Sequence, residues 1–342
     1  MLFRKRSYEI ICVGSVSKDI FFPTDEGTIL ETPEDIVSKE KIAFELGGKY
    51  RVEDRYEAVG GVAANVAHGL TKLGHRAACY SKIGADDLGM WILHAFKEAR
   101  VSADLLFIDK DVKTDLSAII VLTQNGERTI FHNRDANERL EIVDKKFASA
   151  KWVFVSALNG DWQKNLRAIL ALKDQYGFSL AFNPGQHNIR EDAPCVLEAV
   201  AETDVLLLNK DEAIELIINT QKDISREQLD DEMFLLKALH PAGAKHIGLT
   251  DGKRGAWGYD GKECWFCPIH TLRSVVDSTG AGDAFGSGFF AAILEGGSIG
   301  DALRYGIANS GNVIGAYGAI AGLLSKEDMG SIVDKIVPER LH

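Results

Sequence analysis

The chain has 342 residues, 46% of them hydrophobic and 26% charged, an ordinary globular composition with room for one large α/β domain or two smaller ones. Its formal net charge of −11 excludes the broad basic face that nucleic-acid binding requires, while leaving room for a local basic pocket. No apolar run reaches the ~18 residues of a membrane span, and the basic start at residues 1–6 leads into a strand-like stretch containing Glu9, so a cytoplasmic protein without a membrane partner is expected.

In chain order, residues 8–14 read as a buried first strand closed by Gly14. Neither GxGxxG nor GxxxxGK[ST] occurs, so a nucleotide would have to be held by another device. Asp19 follows the strand; its carboxylate suits two sugar hydroxyls or, taken alone, a turn cap. Residues 21–57 are polar, with apolar alternations at 42–46 and 49–52 that suggest strands, because a structureless loop of that length does not suit a compact domain. The part near residues 26–41 has no assignment. Gly60-Gly61-Val62-Ala63-Ala64-Asn65 then opens a helix that Gly74 stops. Paired glycines allow close approach to a ligand, and the Asn65 amide can donate and accept. Residues 77–84 read as a strand, and Gly84-Ala85-Asp86-Asp87-Leu88-Gly89 as a helix entry. Residues 117–123, Asn125-Gly126 and residues 128–132 form a hairpin pattern, with Arg134-Asp135-Ala136-Asn137 after it.

Beyond residue 151, strands at 152–156, 179–182, 205–208 and 246–250 alternate with helical periods near 166–176, 213–218 and 229–239. That alternation predicts a doubly wound, mostly parallel sheet with ligands at the strand C-terminal ends. Asn209-Lys210-Asp211-Glu212 sits at one such end and, alone, reads as an acidic first helical turn. Thr250-Asp251-Gly252-Lys253-Arg254-Gly255 sits at another and, alone, reads as a glycine-rich turn. Five scattered cysteines make no disulfide framework, and Cys264-Trp265-Phe266-Cys267 is a lone CxxC in a strand-like stretch, read as structural. The histidines show no metal-ligand spacing.

The chain is organised around Asp277-Ser278-Thr279-Gly280-Ala281-Gly282-Asp283, which leads into an apolar helical run. Glycines there let helix-start amides point at an anion, and Asp283 is a carboxylate whose pKa hydrogen bonds and the helix dipole should lower. A base beside an anion cradle suits phosphoryl transfer. The plainer alternative is a helix capped by Asp277, Ser278 or Thr279.

This stretch resembles the C-terminal signature of the ribokinase-like (phosphofructokinase-B) family of carbohydrate and nucleoside kinases, and residues 60–74 resemble its N-terminal signature. The resemblance runs in order from about residue 10 to 322. It implies a ribokinase-like α/β three-layer sandwich with helices on both faces of the sheet, one domain over residues 1–342, and a small β lid from strands within about 16–58 and 115–134. It implies transfer of the ATP γ-phosphoryl group to a hydroxymethyl group, with Asp283 as base and the amides of Gly280, Ala281 and Gly282 as anion hole. The acceptor would lie against Asp19, Gly60, Gly61, Asn65 and Asn137. The nucleotide would lie against Asn209, Thr250, Gly252, Gly255 and Asn309. Glu212 would help hold Mg²⁺ through water, a monovalent cation such as K⁺ being an optional addition, and the lid would form a homodimer. Where ribokinases carry lysine after the glycine pair this chain has Val62, which weakens ribose as acceptor. A nucleoside kinase is the first alternative, with Phe21, Phe22 and Phe131 as candidate base-stacking residues. A non-catalytic regulator and, for want of a dinucleotide fingerprint, a nicotinamide enzyme come after it.

Overall fold

The computed structural model describes residues 8–32, 40–124 and 126–341. The strands in chain order begin with β1 (Ile10–Val13), β2 (Ser17–Thr24), β3 (Thr28–Glu31), β4 (Glu40–Ala43), β5 (Tyr56–Gly60), β6 (Ala77–Gly84), β7 (Leu106–Asp109), β8 (Leu116–Leu122) and β9 (Arg128–Asn133). They continue with β10 (Trp152–Val155), β11 (Ser179–Phe182), β12 (Val205–Asn209), β13 (His246–Thr250), β14 (Ala256–Tyr259), β15 (Cys264–Cys267) and β16 (Glu339–Leu341).

Ten strands form the central sheet in the order β16-β15-β14-β13-β12-β11-β10-β1-β6-β7. Strand β1 pairs in parallel with both β10 and β6, so the winding direction changes there. The pairings from β13 outward to β16 are antiparallel. Ile10-Ile11-Cys12-Val13 is apolar throughout because both faces are covered. Ile10 and Cys12 join a core containing Leu70 and Phe289, while Ile11 and Val13 join a second core with Leu166 and Leu235. This is the expected three-layer α/β arrangement.

A smaller sheet, β5-β2-β8-β9, forms the lid, with Phe21, Ile119 and Val121 as its core. Strands β3 and β4 pair as a separate antiparallel hairpin and give structure to much of the unassigned segment; the connecting residues 33–39 lie outside the described residues. A Cβ on Gly27 would fall 2.5 Å from Ile42 and 3.3 Å from Leu122, so the hairpin lies against β8.

Some local expectations fail. Residues 49–52 are not a strand. The 229–239 period is divided between the helices Arg226–Leu229 and Glu232–Leu239, with Asp231 capping the second through the Met233 amide. The helix Gln186–Ala201 was not anticipated, because Pro194 and a non-helical Asp192 interrupt its pattern. The β8–β9 hairpin forms as expected, although Asn125 at its turn lies outside the described residues.

Candidate active site

The helix Ala281–Leu294 starts from Gly280, which takes the left-handed conformation at φ 75°. A Cβ there would also lie 2.1 Å from the Ala319 Cβ, so this position needs glycine twice over. None of the three expected side-chain caps forms. Asp277 is buried, and its Oδ1 accepts from the Thr279 amide at 3.0 Å and the Thr279 hydroxyl at 2.7 Å. Its Oδ2 accepts from the Gly318 amide at 3.1 Å, so the carboxylate ties the turn to the loop after residue 313. Among the described residues, the amides of Gly280, Gly282 and Asp283 have no hydrogen-bond partner, whereas the Ala281 amide donates to the Ser278 carbonyl at 3.3 Å. The anion-facing donors are therefore not the consecutive set expected: the Ala281 amide is already engaged and the Asp283 amide is free. Free amides at a helix start favour an anion there.

Asp283 stands in the first turn of this helix and meets a residue 218 positions earlier: Asn65 Nδ2 donates to its Oδ2 at 2.7 Å. Asn65 is aimed by the helix Val62–Lys72, which leaves Gly61 at φ 91°, where a Cβ would lie 2.5 Å from the Ser15 carbonyl. The bond to a carboxylate fixes the amide orientation and leaves Asn65 Oδ1 buried without a partner. Asp19 accepts from Ser17 Oγ at 2.9 Å, and a Cβ on Gly60 would fall 2.0 Å from its carboxylate. The glycine pair thus makes room for Asp19 and for the helix entry.

Burial pushes the Asp283 carboxyl up to about 6; the Asn65 bond opposes the shift and the Asp19 charge adds to it. Asp19 is also raised, again chiefly by burial. The expected lowering of Asp283 is overturned because loss of water around an enclosed carboxylate outweighs its single side-chain hydrogen bond.

Two cavities lie on either side of the helix start, one lined by Gly282 and the other by Ala281. One, of 210 Å³, is lined by Asn209, Glu212, Thr250, Gly282 and Asp283. The other, of 370 Å³, is lined by Gly252, Lys253, Ser278 and Ala281, with Gly126 of the lid hairpin at its rim. Asn209 and Glu212 form a reciprocal helix cap: Asn209 Oδ1 accepts from the Glu212 amide at 2.8 Å, and Glu212 Oε2 accepts from the Asn209 amide at 3.0 Å. Burial first, then the charges of Glu215, Asp211 and Asp283, push Glu212 up to about 7. Of the two loop cations, Lys253 faces the larger cavity, while Arg254 is tied to Glu232 at 2.8 Å and Asp251 at 3.1 Å.

Three expected ligand residues serve the chain itself. Asn137 is buried; its amide nitrogen donates to the Val16 carbonyl at 2.9 Å and to Asp115, and its Oδ1 accepts from Ser81 at 2.8 Å. Asn309 is buried; it donates to the Ala284 carbonyl at 2.9 Å and accepts from the Leu324 amide at 2.9 Å. Both asparagines are braces with no amide group left for a ligand. Gly255, at φ 115°, lets the loop pass the Cys267 carbonyl, which a Cβ would approach to 2.4 Å. Of the candidate stacking rings, Phe21 is buried in the lid core, Phe22 is half-buried and Phe131 is 64% exposed. Arg134 donates to Asn159 at 2.9 Å. Cys264 and Cys267 enter different cores, so this CxxC cannot close on one metal.

The pfkB family carbohydrate kinase profile matches residues 27–326. The chain belongs to that family. It is a phosphotransferase of the class that uses an alcohol group as acceptor. The ATP-dependent 6-phosphofructokinase of Thermoanaerobacterium thermosaccharolyticum is 26% identical, covering 98% of this chain and 96% of its own. The nucleoside kinase of Methanocaldococcus jannaschii is 26% identical, covering 92% and 93% respectively. In structure the chain is similar to ribokinase from Giardia lamblia, with a TM-score of 0.77 at 20% identity, covering 96% of this chain and 100% of that one.

In this pfkB-family kinase the residues that sequence reasoning missed are polar partners rather than motif positions. Glu232 is buried between Lys210 Nζ at 2.7 Å and Arg254 at 2.8 Å, and so anchors the loop carrying Gly252 and Lys253. Arg128 of the lid donates to Ser278 Oγ. A single acid or arginine inside an ordinary helix or strand pattern carries no local signal of such a partner.

Proposed function

We propose that this kinase transfers the γ-phosphoryl group of ATP to a hydroxymethyl group of a sugar or sugar-like acceptor, with Asp283 as general base. The observation that carries this is the Asp283 carboxylate, held by Asn65 at 2.7 Å, in the same helical turn as unbonded amides and lining a cavity with Asn209 and Glu212. Asp283 accepts the acceptor's hydroxyl proton; a carboxyl near 6 is ionised at neutral pH and is a stronger base than an ordinary aspartate. The amides of Gly280, Gly282 and Asp283 hold the charge on the transferred group. Asp19 and the unpartnered Asn65 Oδ1 orient the acceptor's hydroxyls.

Among the described residues no cluster of three acidic or histidine ligands could cage a metal. Glu212 nevertheless fits a cation carried in with the nucleotide: it is a buried carboxyl raised by three other carboxylates and relieved by positive charge. Bound Mg²⁺ would supply neutralisation of phosphate charge, held largely by phosphates and water.

The test is ADP release from Mg·ATP with pentoses, hexoses, hexose phosphates, sugar acids and nucleosides, with Asp283→Asn alongside. Turnover on one acceptor that the variant loses by ~10²–10⁴ supports the assignment. An equally active variant removes Asp283 from the chemistry, and tight binding without turnover would make the protein a sugar-binding regulator.

A further inference from the structure

Four stretches of chain pass between the central sheet and the lid, and three of them meet in one buried knot around Asp115. Asp115 is the last residue before β8 and is 2% exposed. Its Oδ1 accepts from the Ala136 amide at 2.9 Å and the Asn137 amide at 3.4 Å, where the chain has left β9, and its Oδ2 accepts from Asn137 Nδ2. Asn137 Nδ2 also donates to the Val16 carbonyl at 2.9 Å, just before β2, and Asn137 Oδ1 accepts from Ser81 Oγ of β6 at 2.8 Å. The Asp115 carbonyl in turn accepts from the Lys18 amide at 2.9 Å. Burial pushes the Asp115 carboxyl up to about 6 against the pull of its three donors, and among the described residues no cation pairs with it. A buried charge of this kind adds little net stability, and its best-attested use is to select one arrangement among several. The arrangement selected here includes Asp19. Ser117 pairs in register with Asp19 across β8 and β2, and side-chain bonds from Ser117 and Ser17 hold the Asp19 carboxylate. The neighbouring Lys18 points to the opposite face of β2, where its Nζ meets Glu57 at 2.6 Å and lies 4.4 Å from the centre of the Trp91 ring.

Resting on the kinase reading above, we propose that Asp115 is a positioning residue for the acceptor: through Asn137 and Ser117 it fixes β2 and β8 against the central sheet and so sets Asp19 opposite Asp283. Its own oxygens are taken up by the chain, so it acts only through these partners. A carboxylate suits the place because it only accepts. An asparagine at 115 would turn its NH2 either to Asn137 Nδ2 or to the two backbone amides, so a donor would face donors in both orientations. Asn137 cannot turn over to relieve this without setting its own oxygen against the Val16 carbonyl.

The test uses the full chain and Asp115→Asn, with Ile169→Val in the other core as a control for general destabilisation. Hydrogen–deuterium exchange of the ligand-free chain should quicken about tenfold in β2 and β8 and stay within about twofold in β10 to β13. With the acceptor that the panel above identifies, kcat/KM for the acceptor should fall about 10- to 100-fold, mostly through KM, while the KM for Mg·ATP stays within about twofold. Ile169→Val should lower the melting temperature and shift neither KM. An unchanged acceptor KM, an equal rise in both KM values, or unchanged exchange in β2 and β8 overturns the proposal. Should Asp115→Asn not fold, Ser117→Ala removes only the last link to Asp19; the proposal then requires its acceptor KM to rise several-fold with the Mg·ATP KM unmoved, and wild-type kinetics in that variant overturn it. A silent panel refutes the kinase reading alone, and the exchange pattern still decides whether Asp115 sets β2 and β8.

Discussion

Asp283→Asn should stabilise the fold while abolishing turnover. The carboxyl is pushed from 3.8 to about 6, mainly by burial. A folded-state pKa above the unfolded one means that ionisation opposes folding. The penalty is absent below about 4, grows between the two values, and is complete above about 6. At about 1.4 kcal/mol per unit the full shift is worth about 3 kcal/mol, and partial access of water through the cavity mouth reduces this to about 1–3 kcal/mol. The replacement keeps the volume and can still accept the Asn65 bond through its amide oxygen, so the variant loses the charge and little else. Urea unfolding of both proteins at pH 4.5 and pH 8 measures the effect. The variant should be more stable at pH 8 by the stated amount, and the difference should shrink at pH 4.5. A variant no more stable than wild type at pH 8, or a gain independent of pH, would refute burial of an ionised carboxylate as the source of the shift.

Three further outcomes are expected. The wild-type kcat/KM should fall as pH drops through about 6, because protonated Asp283 cannot take the acceptor's proton; a profile flat down to pH 5 would exclude it as the titrating base. Gly280→Ala adds a Cβ at 2.1 Å from Ala319 in a left-handed turn, so kcat should fall at least tenfold, with thermal melting showing whether the fold survives; near-normal kcat would mean that the turn is not the anion site. Glu232→Gln removes the buried carboxylate that links Lys210 and Arg254 and leaves Asp251 as their shared counter-charge, so the KM for ATP should rise several-fold more than the acceptor KM; equal rises would show that the loop is not nucleotide-specific.

The parts of the site that were legible in the sequence are those where glycine is required by backbone geometry. Gly60, Gly61 and Gly280 are each needed because a Cβ would strike a carboxylate, a carbonyl or a neighbouring methyl, and such needs repeat as short, dense motifs. The central sheet was legible for a similar reason, since strand segments buried on both faces, such as β1 and residues 205–208 of β12, must be apolar throughout. Asn137 and Asn309 were misplaced because an asparagine looks the same whether its amide meets a ligand or its own backbone. The direction of the Asp283 shift was missed because local sequence shows the turn's donors and not the enclosure built by residues as distant as Asn65. Arg128 carried no motif, and its bond to Ser278 arises only where the lid docks on that turn.

The carboxyls of the site connect these observations. Asp19 raises Asp283, and Asp283 raises Glu212, so each binding step that adds positive charge near one of them changes the ionisation of the next. Linkage makes the effect mutual: a cation that favours ionised Glu212 or Asp283 is itself bound more tightly when they are ionised. The ligand-free carboxyls therefore hold protons more readily than free ones, and on the proposed mechanism positive charge arriving with the nucleotide would convert Asp283 from a partly protonated acid near pH 6 into an available base. On the proposed mechanism the amides of the Ala281 helix act in the opposite sense, attracting the phosphate that accompanies that charge. Near pH 6 the proposed base would be most fully ionised when the charges that surround phosphoryl transfer are in place, which disfavours reaction at a half-filled site there.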